Sequence, residues 1–183
     1  MVYKIGLFGT HGTGKTTLVH SISGQLQEQN LSVRAITEIA KLAKERGVQI
    51  DKATTLEAQA WILYRQCAAE LEGEFYDYDV TACDRTVFDN YCYLKRTVGD
   101  CPLYLKMILN HAELHPYTRL YYAPIIEKIN PKGRDSDPLF QKDIENLISS
   151  FFEEHKIEYI RLPKENRQGW VELIVNQTLK DLE

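Results

Sequence analysis

With 183 residues, of which 44% are hydrophobic and 26% charged, the chain has the make-up of one globular domain with room for a proper core. Its net charge of −4 argues against a nucleic-acid partner, which needs a basic face, so any bound phosphates must be held by a few local cations. No apolar run approaches the ~18 residues of a membrane span, and the N-terminus enters a strand directly. A single domain over 1–183 is therefore expected, in the cytoplasm, with no signal peptide and no membrane partner.

Residues 2–8, VYKIGLF, read as a strand buried on both faces, as in a parallel sheet. GTHGTGKTT follows at 9–17. Gly9, Gly14, Lys15 and Thr16 fill every fixed position of G-x-x-x-x-G-K-[ST]. By chance a chain of this length shows the pattern about once in a hundred times or less often. The spacing has a physical reason. Glycines let the main chain curl so that successive N–H groups point at a phosphate chain, and the helix that opens here adds its free N–H groups and dipole. Gly9, Thr10, His11, Gly12, Thr13, Gly14, Lys15, Thr16 and Thr17 are thus the candidate cradle for ATP, with GTP a second option. Lys15 would place its charge on the β/γ-phosphates, and the Thr16 hydroxyl would bind Mg²⁺. His11 reads as a tolerated variable position.

A first helix is expected from Lys15 to Gln29, with Leu18, Ile22, Gln25 and Leu26 on one face. LSVRAIT, 31–37, reads as a second strand ending at Glu38, and a helix then stops at Gly47. Thr54 and Glu57 form a T-x-x-E capping box. The helix they open carries Leu56, Ala60, Leu63, Cys67 and Leu71 on a stripe flanked by Trp61 and Tyr64, aromatics expected in the core. DVTACD, 79–84, is a third strand with an acid at its end, followed by helix TVFDNYCYLKRTV, in which Phe88 and Tyr91 read as core. A further helix starts at Pro102. TRLYYA, 118–123, is the fourth strand. The stretch 124–138, PIIEKINPKGRDSDP, is long and irregular, which marks a lid or binding loop. Asp137 and Pro138 open the next helix, with Phe140, Ile144, Leu147 and Phe151 on one face. IEYIRL, 157–162, is the fifth strand, and the last helix runs from Gln168 to Leu182. Strands alternate with helices throughout, so the expected fold is α/β, a parallel sheet wrapped on both sides. Cys67, Cys83, Cys92 and Cys101 form no CxxC pair, which predicts buried thiols and no zinc site.

In such sheets ligands sit at the carboxyl ends of the strands. Three strand ends stand out: the phosphate loop, Glu38, and Asp84-Arg85. Asp84 is placed to hold Mg²⁺ directly or through water, or else to cap the next helix. Arg85 would neutralise phosphoryl charge or grip a substrate anion; otherwise it is a structural partner for Glu38 or Asp89. Glu38 would accept a proton from an attacking hydroxyl or hold a sugar hydroxyl; otherwise it is an acid favoured by the helix dipole. Motor-type and AAA-type ATPases usually follow the strand-end Asp with a Glu that activates water, but here the next residue is Arg85. No N-K-x-D guanine reader occurs late in the chain. What remains is transfer of a γ-phosphoryl group to a small-molecule acceptor other than water. A kinase must exclude water, and closure of 124–138 would bring Arg134, with Lys128 and Lys132, over the phosphates. The segment 164–169, after the last strand, is where the base is expected. The competing class is a nucleotide-gated switch that signals to a protein partner. Oligomeric state is open.

GTHGTGKTT, TEIA with Glu38, ACDRTVFDNY and KGRDSDPLFQKDIENLI together resemble the small phosphate-loop kinases related to the nicotinamide riboside kinase domain of bacterial NAD-synthesis regulators. That family is labelled AAA-like or NadR-like, and the likeness runs from about residue 3 to 175. Deoxynucleoside and thymidylate kinases share the loop and an acid-Arg step. The resemblance implies a three-layer fold with sheet order 2-3-1-4-5 and a lid. It implies that Lys15 and Thr16 hold ATP and Mg²⁺, that Asp84 serves metal or acceptor, that Arg85 and Arg134 serve the phosphoryl site, and that Glu38 touches a nucleoside- or nucleotide-type acceptor.

Overall fold

The computed structural model describes residues 2–37, 39–50, 54–126 and 138–183. Strand β1 (Tyr3–Phe8) is buried at all six positions, as its unbroken apolar run requires of a central parallel strand. It lies in a five-stranded parallel sheet with β2 (Val33–Ile36), β3 (Val80–Asp84), β4 (Arg119–Tyr122) and β5 (Ile160–Arg161), in the order β2-β3-β1-β4-β5. That is the order expected from the resemblance. Alternate residues of β1 serve opposite layers. Tyr3, Ile5 and Leu7 meet helices α1 (Lys15–Glu28) and α7 (Trp170–Leu182) through Leu18, Ile22, Leu26 and Trp170. Phe8 points to the other layer, made by α3 (Leu56–Phe75), α4 (Val87–Val98), α5 (Pro102–Leu114) and α6 (Pro138–Glu154). A short α2 (Ile39–Glu45) packs beside α3.

The register decides what meets at the top of the sheet. Leu7 pairs with Asp84 and Phe8 with Tyr122, so the loop leaving β1 emerges beside the end of β3. Phe8 anchors that exit. Its ring stacks on Phe152 of α6 with centroids 4.0 Å apart, and Tyr159 meets it edge-on at 5.2 Å. Phe152 in turn meets Phe88 of α4 edge-on at 5.6 Å.

Several local expectations need correction. The α3 cap is Thr55, whose hydroxyl accepts from the Ala58 N–H; Thr54 instead accepts from Gln59 Nε2 at 2.9 Å. The stripe expected on α3 is met at Ala60 and Leu63, buried in the core, and at Leu56 and Cys67, partly buried against it, but Leu71 and Tyr64 are exposed and Trp61 is half-buried, while Gln59, Gln66, Glu70 and Gly73 are buried beside the stripe. Hydrophobic spacing does not register those polar residues, so the buried face is wider than the stripe expected. Gln25 of α1 is exposed. The box at the start of α4 is Thr86 with Asp89, each side chain bonding the other's N–H. A 3-10 segment, Lys164–Gly169, precedes α7, which therefore starts at Trp170. Phe88 and Tyr91 are core, as expected. All four thiols are free; Cys83 and Cys92 are buried, but Cys67 and Cys101 are only partly so. No helix among the described residues is long and apolar enough to cross a membrane.

The aromatic anchor makes a stability prediction. Phe152→Ala should remove about 3–5 kcal/mol in urea unfolding, the usual cost of deleting a buried phenyl ring. Phe75→Ala, at a side chain 79% exposed, should stay within about 0.5 kcal/mol of the parent.

Candidate active site

The site begins with the backbone. Gly9 has φ 132° and Gly14 φ 84°, both in the region that side chains disfavour. A Cβ on Gly9 would sit 2.7 Å from the Ala123 carbonyl oxygen, and one on Gly14 would strike the Arg167 guanidinium. With these turns made, α1 opens at Lys15 with no side chain capping its first N–H groups. A helix end left open in this way is suited to an anion.

Lys15 is folded into the curl. Its Nζ donates to the carbonyls of Gly9 at 3.0 Å and Thr10 at 2.6 Å, and to Thr13 Oγ1 at 3.2 Å. The side chain is almost wholly buried. Burial pushes its pKa down to about 8, the charge of Arg85 adds to the fall, and Asp84, Asp89 and Glu145 oppose it. Thr13 and Thr10 are buried, Thr16 is half-buried and Thr17 is exposed on α1.

Thr16 and Asp84 come together as the strand order requires. The Thr16 hydroxyl donates directly to Asp84 Oδ2. A hydroxyl and one carboxylate are hard oxygen donors, the kind that hold Mg²⁺ when phosphates and waters complete its shell. No trio of His, Cys, Asp or Glu among the described residues could form a separate metal cage.

Arg85 turns out of the strand with φ 94°, unusual for a residue other than glycine. Its guanidinium lies over the Tyr93 ring, 4.5 Å from the centroid, and Nη2 reaches Tyr93 Oη at 3.4 Å. Nη1 is 3.5 Å from Asp89 Oδ2, and neither of these two buried atoms has a hydrogen-bond partner among the described residues. The pairing with Asp89, one of the two structural partners foreseen, is therefore real but loose. The Arg85 side chain keeps 20% of its surface exposed, so it can still meet an anion. Burial raises the Asp89 carboxyl pKa against the pull of Arg85 and Lys15.

Three residues that the sequence did not single out also border the loop, together with Arg167 from the 164–169 segment. Tyr93 accepts from the His11 N–H at 3.1 Å, so His11 is not a bystander: its main chain ties the loop to α4. Gln141 of α6 donates to the His11 carbonyl at 2.8 Å, and its own carbonyl accepts from Thr10 Oγ1 at 3.1 Å. Glu145, one helical turn further on, has its carboxyl pKa pushed up by burial and pulled down by the charge of Lys15. Arg167 leans over Gly14 from the 3-10 segment, with Trp170 5.7 Å beneath its guanidinium. Tyr93 was detectable in principle, since 85, 89 and 93 share a spacing of four. Glu38 and Arg134 lie outside the described residues, as do Lys128, Lys132, Asp135 and Asp137.

A central strand, a curled glycine loop opening a helix, and a strand-end acid against the loop's hydroxyl define a P-loop NTPase fold. The chain matches the AAA domain family over residues 4–169 and belongs to it. No curated protein matches the chain. Among solved structures it is similar to a deoxyadenosine kinase from M. mycoides determined with its products dCMP and a flexible dCDP bound. The identity is 18% and the TM-score 0.63, over 97% of this chain and 99% of that one.

The Lys15 environment sets a pH dependence. In the free protein its proton leaves above about pH 8, whereas a bound phosphate chain favours the charged ammonium. ADP affinity should be flat below about pH 7 and fall by up to about tenfold per pH unit above about pH 8. Calorimetry in buffers of differing protonation enthalpy should show proton uptake on binding in that upper range, and Lys15→Met should abolish the uptake.

Proposed function

We propose that the protein is an ATP- and Mg²⁺-dependent phosphotransferase that moves the γ-phosphoryl group to a nucleoside- or nucleotide-type acceptor. The observation that carries this reading is the end of β3. There Asp84 meets the loop hydroxyl of Thr16, and the next residue is a partly open arginine instead of an acid that would activate water. Membership of the AAA domain family and the likeness of fold to a deoxyadenosine kinase support it. The finer relation, to the nicotinamide riboside kinase domain of NAD-synthesis regulators, rests on the motifs at 9–17, 84–85 and 132–138.

In this reading the Lys15 ammonium exchanges the Gly9 and Thr10 carbonyls for the β/γ-phosphate oxygens. The loop N–H groups and the open end of α1 hold the rest of the chain. Thr16 and Asp84 would hold Mg²⁺, which supplies charge neutralisation on the phosphates. Arg85 Nη1, facing Asp89 without a hydrogen bond, takes charge that develops on the transferred group. Glu38 accepts the proton of the attacking hydroxyl, and Arg134, in the lid expected over 124–138, completes the cationic shell. Arg167, above Gly14, borders the base and α-phosphate side of the donor nucleotide. The contribution is mainly position and preorganised charge.

The test is incubation with labelled ATP, Mg²⁺ and a panel of nucleosides and nucleoside monophosphates. Transfer to one of them, faster than hydrolysis, is expected; hydrolysis alone would defeat the reading. Glu38→Gln should lower kcat about 10²-fold or more while ADP affinity stays within about twofold.

A further inference from the structure

Behind the Asp84-Arg85 corner lies a buried charge cluster that the proposed chemistry does not use. Glu70 of α3 has no exposed surface. Its Oε1 accepts from Tyr117 Oη at 2.6 Å and from Gln66 Nε2 at 2.9 Å. Its Oε2 accepts from Lys4 Nζ at 3.3 Å and His111 Nε2 at 3.0 Å. Burial pushes the Glu70 carboxyl pKa up, but His111, Lys4, Tyr117 and Gln66 bring it below the usual range. It is therefore a carboxylate at neutral pH and can only accept. The two glutamates and two histidines here invite a metal reading, but the Lys4 ammonium already fills that role. It lies 3.7 Å from Glu74 as well, donates to the His115 carbonyl at 2.6 Å, and leaves His115 Nδ1 to pair with Glu74 at 2.8 Å.

The two donors on Oε1 continue to the corner. Gln66 Nε2 carries two hydrogens; one goes to Glu70, the other to the Arg85 carbonyl at 3.0 Å. Tyr117 has a single hydroxyl hydrogen. Because Glu70 takes it, the oxygen lone pairs are turned to the Val87 N–H, which donates at 2.9 Å. On the opposite side the Arg85 N–H donates to the Leu7 carbonyl at 3.0 Å. The positive-φ turn at Arg85 is thus clamped at both its peptide groups and at the first N–H of α4. A strained turn persists only where its surroundings over-determine it.

We propose that Glu70 is a positioning residue: through Gln66 and Tyr117 its Oε1 sets the shape of the 84–87 turn, which aims Asp84 at Thr16 and Arg85 at the transferred group. The catalytic half of this statement rests on the phosphotransferase reading; the Asp84–Thr16 half does not. The competing account is a buried ion pair that only stabilises the fold.

The experiment compares Gln66→Met and Tyr117→Phe, which cut the two links, with His111→Gln, which touches only Oε2. Each is checked for folding by circular dichroism and thermal melting. Two functional quantities are read. One is kcat on whichever acceptor the wild type uses. The other is the gain in ADP affinity on adding Mg²⁺, which depends on the Thr16–Asp84 pair and needs no acceptor. Both link variants should lose at least about tenfold in kcat and at least about fivefold of the Mg²⁺ gain, with metal-free ADP affinity within about twofold. His111→Gln should lower the melting temperature and leave both quantities unchanged. If the link variants melt earlier but keep both quantities, the proposal is wrong and Glu70 is structural. Should Gln66→Met not fold, Tyr117→Phe, which deletes one atom, decides alone. A wild type that shows the Mg²⁺ gain but phosphorylates nothing overturns the phosphotransferase reading only, since the gain still reports the turn.

Discussion

A buried ammonium held by the main chain that surrounds it is the constraint on which this structure turns. Taking Lys15 out of water is expensive, and three acceptors on the loop itself offset that cost. Those acceptors converge only because the chain can turn at Gly9 and Gly14 in conformations that other residues adopt only under strain. Burial, with the nearby charge of Arg85, still pushes its pKa down to about 8. A site that holds its cation at a loss is one that gains by receiving an anion, which is why the same curl that hides Lys15 suits a phosphate chain.

The rest of the fold places partners around this loop. The strand that delivers it must be central, so that β3 can lie alongside and bring Asp84 level with Leu7. That register is what lets a hydroxyl on α1 meet a carboxylate on a different strand. Arg85 is then carried past the sheet by a backbone conformation that glycine would adopt more readily. Glycine has no guanidinium, however, and the strain is borne for a cation that Tyr93 supports from below and Asp89 only loosely pairs.

Much of this was legible in the sequence because its parts are local. The glycine–lysine–threonine spacing, the apolar run of β1 and the acid closing β3 each lie within a few residues and carry their own chemistry. Gln141 and Glu145 were not legible, Tyr93 showed only as a spacing of four from Arg85 and Asp89, and Arg167 only as part of the 164–169 segment. Each is an ordinary helix or turn residue until α4, α6 and the 3-10 segment are folded over the loop, and helical spacing does not say which loop a helix will cover. The part of α3 that was missed has a sharper cause. Its inner face carries Gln59, Gln66 and Glu70 while Leu71 and Tyr64 face water. Hydrophobic spacing finds Ala60 and Leu63 on this helix but not the three polar residues buried beside them.

The buried polar residues of that helix are best understood from the sheet. Lys4 sits in the middle of a strand with no other charge and no exposure, and Glu70 answers it. By itself such a pair is weak grounds for stability, since well-packed apolar side chains of the same volume do as well or better. What an apolar pair could not supply is an acceptor with two free lone-pair directions. Gln66 and Tyr117 each have a second polar task at the 84–87 turn, and each can perform it in a fixed orientation only if its remaining hydrogen has somewhere to go. The carboxylate gives both hydrogens one destination, and the lysine and histidine behind it keep that carboxylate ionised. Polar residues on the buried face of α3 therefore follow from the need to hold a strained, charged turn from the side away from the ligand, where apolar packing alone would leave its carbonyl and N–H unpaired.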